Sequence, residues 1–152
     1  MSRVYFHAKI LLFGEYTVLN GGRALGIPFK KFKGHWKFDG SRTIDKSLHA
    51  FYKYLLENFK EEFDHANFEN EIINGLRFKS DIPIGYGLGS SAALCAACFS
   101  RYFYHQEISK MDIKIIFAKM ESHFHGKSSG FDPLISFTNQ PVVKTLDKIE
   151  II

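Results

Sequence analysis

The stretch that most constrains the fold is a glycine-rich turn that runs directly into an apolar segment. Residues 83–94 read Pro-Ile-Gly-Tyr-Gly-Leu-Gly-Ser-Ser-Ala-Ala-Leu, so three glycines alternate with Tyr86 and Leu88 before two serines. Glycine lets the backbone adopt positive φ and approach a ligand closely, and Ser90 or Ser91 can cap a helix that the alanines favour. Such a helix start offers free N–H groups and the positive end of a dipole, which bind anions such as phosphate. We therefore expect the rest of the chain to be arranged around an anion-binding loop.

Two standard phosphate-binding motifs do not match this chain. The dinucleotide fingerprint needs a third glycine where the sequence has Ser90. The Walker pattern ends in Gly-Lys-Ser, as residues 126–128 do, but its first glycine would then fall on Glu121. A glycine-rich turn that binds no ligand remains the alternative, because short motifs also recur by chance.

Length and charge limit the class of protein. The 152 residues suit one domain, and 45% hydrophobic residues with 16 Phe are enough for a core. A net charge of +4 is compatible with anionic small molecules but too weak to indicate nucleic acid. There is no run of about 18 apolar residues for a membrane span and no signal peptide pattern. We expect a cytoplasmic protein with neither a nucleic-acid nor a membrane partner.

The two cysteines form a C-x-x-C pair inside a predicted helix. A redox or zinc site would explain Cys95 and Cys98, but zinc needs two more ligands, and the only close pair available is His123 and His125. A free cysteine packs like a small hydrophobic residue. We therefore expect both cysteines to be core residues.

Hydrophobic periodicity predicts a mixed α/β chain. Apolar residues three and four apart predict helices at 47–60, 91–104 and 109–124. Residues 68–73 and 76–82, joined by Asn74-Gly75, are typical of a β-hairpin. The other predicted strands are 3–13, 24–29, 31–38, 142–143 and 149–152.

Four polar features supply the parts that phosphoryl transfer needs. Lys9 lies within an apolar strand, two serines follow the glycines, and Glu121 and Asp132 flank a second glycine-containing loop. The reaction needs a loop for phosphates, oxygen ligands for Mg²⁺, a carboxylate near the acceptor hydroxyl and a cation for developing charge. Spacing alone does not show that these groups meet, and an edge-strand Lys9 that reaches water is the alternative.

Three segments, in order, resemble the motifs of the GHMP kinase superfamily, most closely those of its mevalonate kinases. Residues 9–19 read Lys-Ile-Leu-Leu-Phe-Gly-Glu-Tyr-Thr-Val-Leu and look like the first motif. Residues 87–93, Gly-Leu-Gly-Ser-Ser-Ala-Ala, look like the second, the ATP phosphate loop. Residues 121–132, with His-Gly and Ser-Gly-Phe-Asp, are similar to the segment that carries a metal ligand and a catalytic aspartate.

The resemblance implies an α+β fold of the ribosomal protein S5 domain 2 type. Residues 1–152 would form the N-terminal ATP-binding domain of such a kinase. Family members usually carry a C-terminal ferredoxin-like lobe, which we expect to be absent from this sequence because it stops at Ile152. The last predicted strands, near 144–146 and 149–152, would then lack partners, which favours association.

The resemblance also implies a role for each matching residue. ATP would be bound by the loop residues Gly85, Gly87, Leu88, Gly89, Ser90, Ser91 and Ala92. Ser91 and Glu121 would ligate Mg²⁺. Asp132 would take or orient the proton of the acceptor hydroxyl, and Lys9 beside it would keep Asp132 ionised.

Two further residues concern the acceptor. Glu15 and Tyr16 lie where family members contact the acceptor substrate. Mevalonate kinases usually carry His where this chain has Tyr16, and the Tyr looks more like phosphomevalonate kinases, whereas the third motif is closer to mevalonate kinase.

The activity implied is ATP- and Mg²⁺-dependent phosphorylation of a small-molecule alcohol, mevalonate first, in the supply of isoprenoid precursors. The alternatives are a phosphomevalonate kinase, another GHMP-type kinase, or a truncated non-catalytic ATP-binding module. Either the chain is a fragment, or its second lobe is a separate chain, or it is a degenerate relative; a homo-oligomer is the other assembly to expect. A nucleic-acid-binding protein with the S5 fold is a third hypothesis. Lys9, Glu121 and Asp132 argue against it, because RNA binding has no need of them.

Overall fold

Ten secondary-structure elements make up the described part of the chain. The computed structural model describes residues 3–14, 22–105, 107–145 and 148–152. Within these ranges lie five strands and five helices. Their order is β1 (Phe6–Phe13), β2 (Ala24–Phe38), α1 (Lys46–Phe59), α2 (His65–Ile73), β3 (Leu76–Ser80), α3 (Ser90–Tyr102), α4 (Lys110–His125), α5 (Phe131–Thr138), β4 (Val142–Lys144) and β5 (Ile149–Ile151).

The long strand β2 organises an antiparallel sheet. β1 pairs along one edge of β2, while β3 and β4 pair with opposite ends of the other edge, and β5 adds to β4. The sequence predicted two strands here, and the structure has one. Between His7 and Ala8 the β2 partner shifts from Lys33 to Phe29, so residues 30–32 form an irregularity within a continuous strand.

The helices pack around α3. Helices α3 and α5 lie against β1 and β2, α4 packs on α3 and α5, and α1 and α2 extend this layer. Small side chains fill much of α3, which is buried on nearly every side. Such small residues let neighbouring elements approach α3 closely.

Cys95 and Cys98 are fully buried free thiols in α3. Burial raises the pKa of both thiols well above its usual value. Among the residues that the structure describes, no group of three or more His, Cys, Asp and Glu could hold a metal ion. The prediction that these cysteines are core residues is therefore confirmed.

The predicted hairpin at residues 68–82 is wrong in its first half. Residues 65–73 form α2, with Asp64 accepting the N–H of Asn67 at its start. Phe68 and Ile72 are both fully buried, and their spacing of four suits one helix face. The Asn74-Gly75 pair ends this helix through backbone N–H bonds to preceding carbonyls instead of forming a hairpin turn. Short apolar segments of this kind fit either period.

The end of the described chain also differs from expectation. Helix α5 (Phe131–Thr138) is not among the predicted helices. The final strands have partners, because β4 pairs with Ala24–Gly26 of β2 as well as with β5. The expectation of unpartnered strands near 144 and 149 is therefore wrong for the described residues; Leu146 lies outside them. No helix in the described ranges is long and apolar enough to cross a membrane.

Candidate active site

The glycine-rich turn forms an open helix start. Helix α3 begins at Ser90, and Gly89 is its N-cap with a left-handed φ of 84°. Among the described residues no side chain caps this helix, so the sequence-based expectation of a serine cap is wrong, and the N–H groups of the first turn have no side-chain acceptor there. Gly85 and Gly87 also have positive φ, and a Cβ on either would meet no atom of the described residues within 4 Å. The loop therefore presents bare backbone to its surroundings.

A cavity of about 310 Å³ opens over this loop. Its walls come from β1, the glycine-rich turn, the end of α4 and the segment that enters α5. The lining residues are Lys9, Leu11, Pro83, Gly85, Gly87, Leu88, Gly89, Ser90, Ser91, Glu121, His125, Lys127, Ser128, Ser129 and Asp132. Residues from all three sequence motifs thus meet at one surface.

An ion pair joins two of the motifs. Nζ of Lys9 lies 2.9 Å from Oδ2 of Asp132. The backbone N–H of Lys9 also donates to the carbonyl of Leu88 at 3.0 Å, which fixes β1 to the glycine loop. A Cβ at Gly89 would stand 3.1 Å from Cγ of Lys9, so glycine leaves room for the lysine stem. Lys9 is 6% exposed, and the alternative of a lysine that extends into water is wrong.

Glu121 is a buried carboxylate at the back of the cavity. The hydroxyl of Ser91 donates to Oε2 of Glu121 at 3.2 Å, and the hydroxyl of Ser128 donates to Oε1 at 2.5 Å. Burial raises the pKa of Glu121, and the nearby charge of Asp132 acts in the same direction. The hydrogen bond from Ser128 is the strongest opposing influence, followed by His125 and Ser91.

His125 is a cavity residue to which the sequence analysis gave no role. Its Nε2 lies 2.8 Å from Oγ of Ser91 and 4.0 Å from Oε2 of Glu121. The spacing of four between Glu121 and His125 places both on one face of α4, and this spacing was the available sequence signal. Lys127 and Ser128 also line the cavity and were noted only as a failed Walker match.

The oxygen atoms of Ser91 and Glu121 suit a hard divalent cation. Mg²⁺ prefers oxygen ligands and commonly takes one or two protein groups, with water and phosphate oxygens completing its octahedron. A hydroxyl and a carboxylate oxygen 3.2 Å apart at the cavity wall match that small set. Within the described ranges, no group of three or more His, Cys, Asp and Glu could hold a metal ion by itself, so a cation here would need oxygens of water or of a bound ligand to complete its octahedron.

Most of the predicted site residues lie together. The glycines at 85, 87 and 89, Leu88, both serines, Glu121, Lys9 and Asp132 all line the cavity. Ala92 does not, because its side chain is fully buried beneath Gly89, leaving only its backbone N–H near the helix start. Glu15 and Tyr16 lie outside the described residues.

Sequence comparisons point to one family. The model of the GHMP kinases N terminal domain matches residues 49–140. The mevalonate kinase of Archaeoglobus fulgidus is 32% identical over 141 residues, covering 84% of this chain and 47% of the relative. The mevalonate kinase of Methanocaldococcus jannaschii is 27% identical over 146 residues, covering 80% of this chain and 47% of the relative. The chain therefore spans about half the length of the curated relatives it matches.

Solved structures share the fold. A mevalonate kinase from methicillin-resistant Staphylococcus aureus superposes with a TM-score of 0.57 at 22% identity, covering 100% of this chain and 56% of that one. A Lactococcus lactis galactokinase, solved with galactose, gives a TM-score of 0.62 at 19% identity, covering 99% and 47%. These likenesses confirm the predicted mixed α/β architecture.

Proposed function

The chain belongs to the GHMP kinase family, and from that premise we propose that it acts in an ATP- and Mg²⁺-dependent kinase that phosphorylates the hydroxyl of a small alcohol. Mevalonate is the first acceptor to consider, because the curated relatives described above are mevalonate kinases. One observation carries the proposal: a single cavity contains the Lys9–Asp132 ion pair and the Ser91–Glu121 pair at the open start of α3.

The glycine loop is suited to hold the nucleotide phosphates. Positive φ at Gly85, Gly87 and Gly89 keeps backbone N–H groups accessible, and the start of α3 adds its dipole. Ser90 lines the cavity, and its hydroxyl can donate to a phosphate oxygen. Leu88 and Ala92 would contribute through their backbone.

Ser91 and Glu121 would hold Mg²⁺ from the opposite wall. Bound there, the cation would neutralise charge on the phosphate oxygens. The fit rests on Oε2 of Glu121, which faces Ser91 and the cavity while Oε1 is engaged by Ser128. Burial limits competing contacts with water, since Glu121 is 5% exposed.

Asp132 would act on the acceptor hydroxyl. It lies in the first turn of α5 and is 29% exposed, so one carboxylate edge remains accessible from the cavity. A carboxylate there can accept the hydroxyl proton or orient the hydroxyl for attack. The ammonium of Lys9 stabilises the carboxylate and can offset negative charge that develops on the acceptor oxygen. Acceptor contacts from Glu15 and Tyr16, like a cytoplasmic location, remain predictions.

A non-catalytic nucleotide-binding module is the competing interpretation. ATP binding requires the loop and the cation ligands, but it does not require a buried lysine paired with a carboxylate. The Lys9–Asp132 pair therefore favours catalysis over binding alone.

The first experiment measures ADP release from Mg·ATP with different acceptors. Mevalonate, phosphomevalonate and several sugar or amino-acid alcohols are offered to the 152-residue chain and to the longest protein that contains it. We expect release that depends on the acceptor and is fastest with mevalonate. No release with any acceptor from the longest protein would contradict a kinase of this kind.

A substitution separates catalysis from nucleotide binding. Asp132→Asn should lower turnover by at least about 100-fold, the size typical of a lost general base, while the Kd for Mg·ADP stays within about twofold, a difference of about 0.4 kcal/mol. Asp112→Asn, an exposed change at the start of α4, is the matched control and should leave both unchanged. Normal turnover in Asp132→Asn would exclude the proposed role.

A further inference from the structure

Ser128 joins the two carboxylate-bearing elements of the cavity. It lies in the short connection between α4 and α5, and no role was assigned to it above. Its hydroxyl donates to Oε1 of Glu121 at 2.5 Å and accepts the backbone N–H of Gly130 at 3.1 Å. Gly130 is the N-cap of α5, the helix that carries Asp132.

These two bonds fix the direction of the hydroxyl proton. A backbone N–H can only donate, so Gly130 occupies a lone pair of the Ser128 oxygen. The single proton of Ser128 is then available for Glu121, where it meets a charged acceptor in a short bond. Oε1 is engaged, and Oε2 is the carboxylate oxygen that faces Ser91.

The backbone around Ser128 is held tightly against α4. A Cβ at Gly130 would stand only 2.0 Å from the carbonyl oxygen of Lys114, so the two backbones are in direct contact. Nζ of Lys114 also donates to the carbonyl of Ser129. The two residues that follow Ser128 are therefore fixed against α4, and its hydroxyl is oriented before any ligand arrives.

We propose that Ser128 is a positioning residue that holds Oε1 of Glu121 so that Oε2 is presented, with the Ser91 hydroxyl, to a divalent cation. The inference rests on the proposed function, because it assigns a task to the same cation site. Groups that orient a metal ligand commonly contribute 10–100-fold to metal affinity, of which we expect about 10-fold here. Without Ser128, the carboxylate can rotate about its terminal bond and lose the alignment of Oε2 with Ser91.

The test compares nucleotide binding with and without metal. The Kd for Mg·ADP, and for ADP in EDTA, is measured by calorimetry in the longest protein that contains this chain. Ser128→Ala should weaken Mg·ADP binding about 10-fold or more and leave metal-free ADP within about twofold, a difference of about 0.4 kcal/mol. Ser128→Thr keeps the hydroxyl and should bind Mg·ADP with an affinity close to that of the wild type.

Two further variants keep the test decisive. Ser128→Cys has a weaker donor of similar size, so its affinity for Mg·ADP should fall between those of the wild type and Ser128→Ala. If the alanine variant folds poorly, a weaker Mg·ADP affinity in Ser128→Cys than in the wild type still tests the role. Ser122→Ala removes a hydroxyl within α4 that donates to the carbonyl of Ala118, and Ser122 is not among the residues that line the cavity. That control should not change either Kd.

The outcomes separate this inference from the proposed function. Equal weakening of Mg·ADP and metal-free ADP in Ser128→Ala, or no weakening, would overturn the positioning role, as would failure of Ser128→Thr to restore binding. A wild-type protein that binds no Mg·ADP would overturn the proposed function itself, and the Ser128 role with it. Wild-type binding with a selective loss in Ser128→Ala supports both.

Discussion

Lys9 and Asp132 form an ion pair whose two members are unequally buried. Nζ lies 2.9 Å from Oδ2, yet the lysine side chain is 7% exposed and the aspartate side chain 29%. The ammonium therefore depends on its partner more than the carboxylate does. The cost of breaking the pair should depend on which member is removed.

Removing the carboxylate should destabilise the fold more than removing the ammonium. Asp132→Ala leaves a buried ammonium without its acid partner and should cost about 3 kcal/mol. Lys9→Met leaves a carboxylate that water can still reach and should cost about 1 kcal/mol. Urea unfolding measures both, and the double variant should be more stable than Asp132→Ala alone. A larger loss of stability in Lys9→Met than in Asp132→Ala would contradict the idea that the buried ammonium of Lys9 is the member that depends on its partner.

Gly130 is required where α5 meets α4. Its φ is 77°, and a Cβ would stand 2.0 Å from the carbonyl oxygen of Lys114, so Gly130→Ala should destabilise the fold by about 3 kcal/mol or more. Gly126→Ala is the matched control, because φ there is 74° and a Cβ would meet nothing within 4 Å. It should cost about 1–2 kcal/mol, the strain of the left-handed backbone alone. Equal melting temperatures for the two variants would contradict the close approach of the helices.

Gly87 should matter for nucleotide binding more than for stability. It has a φ of 69° and open space where a Cβ would lie, and it lines the cavity. Gly40 has a φ of 77° and equally open space, but it lies in a remote turn. Both alanine variants should lose about 1–2 kcal/mol of stability, whereas only Gly87→Ala should weaken Mg·ADP binding, by at least about tenfold, or 1.4 kcal/mol. Calorimetry and thermal unfolding of the pair make the comparison, and unchanged affinity in Gly87→Ala would count against phosphate binding on this loop.

Glu121 should make stability fall as the pH rises. Burial raises its folded pKa above the ordinary value of 4.5, so between those two pKa values the folded state binds more protons than the unfolded state. The destabilising charge of the Glu121 carboxylate is fully present at pH values above the raised pKa of the folded state. It is absent at pH values below the pKa of the unfolded state. Glu121→Gln should therefore be more stable than the wild type at neutral pH, and the difference should disappear below about pH 4.5. Thermal unfolding across this range tests it, with the exposed Glu57→Gln as control; a neutral-pH loss of stability in Glu121→Gln would contradict the prediction.

Local patterns predicted much of this fold from the sequence. Helices α1, α3 and α4 each follow an apolar periodicity, and at the start of α4 the side chain of Ser109 accepts the N–H of Asp112. Helix α2 was mistaken for a strand because its nine residues are too few to separate the two periods, and Asn-Gly suits a hairpin turn as well as a helix end. Helix α5 was missed because it is only eight residues long.

The candidate site was only partly predictable. The glycine loop is a local signal, and the order of three motifs linked Lys9 with Asp132 across most of the chain. Contacts such as Ser91 with His125, and Ser128 with Glu121, arise from how α3, α4 and the α4–α5 connection pack. No local pattern carries that information, because side chains meet there through tertiary geometry.

Because Cys95 and Cys98 are buried, the reactivity of their thiols reports how often the structure beneath the glycine loop opens. Both thiols lie within α3, the helix that begins at that loop, and the sequence contains no other cysteine. An alkylating reagent needs an exposed thiolate, so modification can proceed only when α3 separates from its neighbours. The labelling rate therefore measures the opening free energy of this helix. A ligand that binds at the start of α3 should lower the labelling rate in proportion to its occupancy of the site.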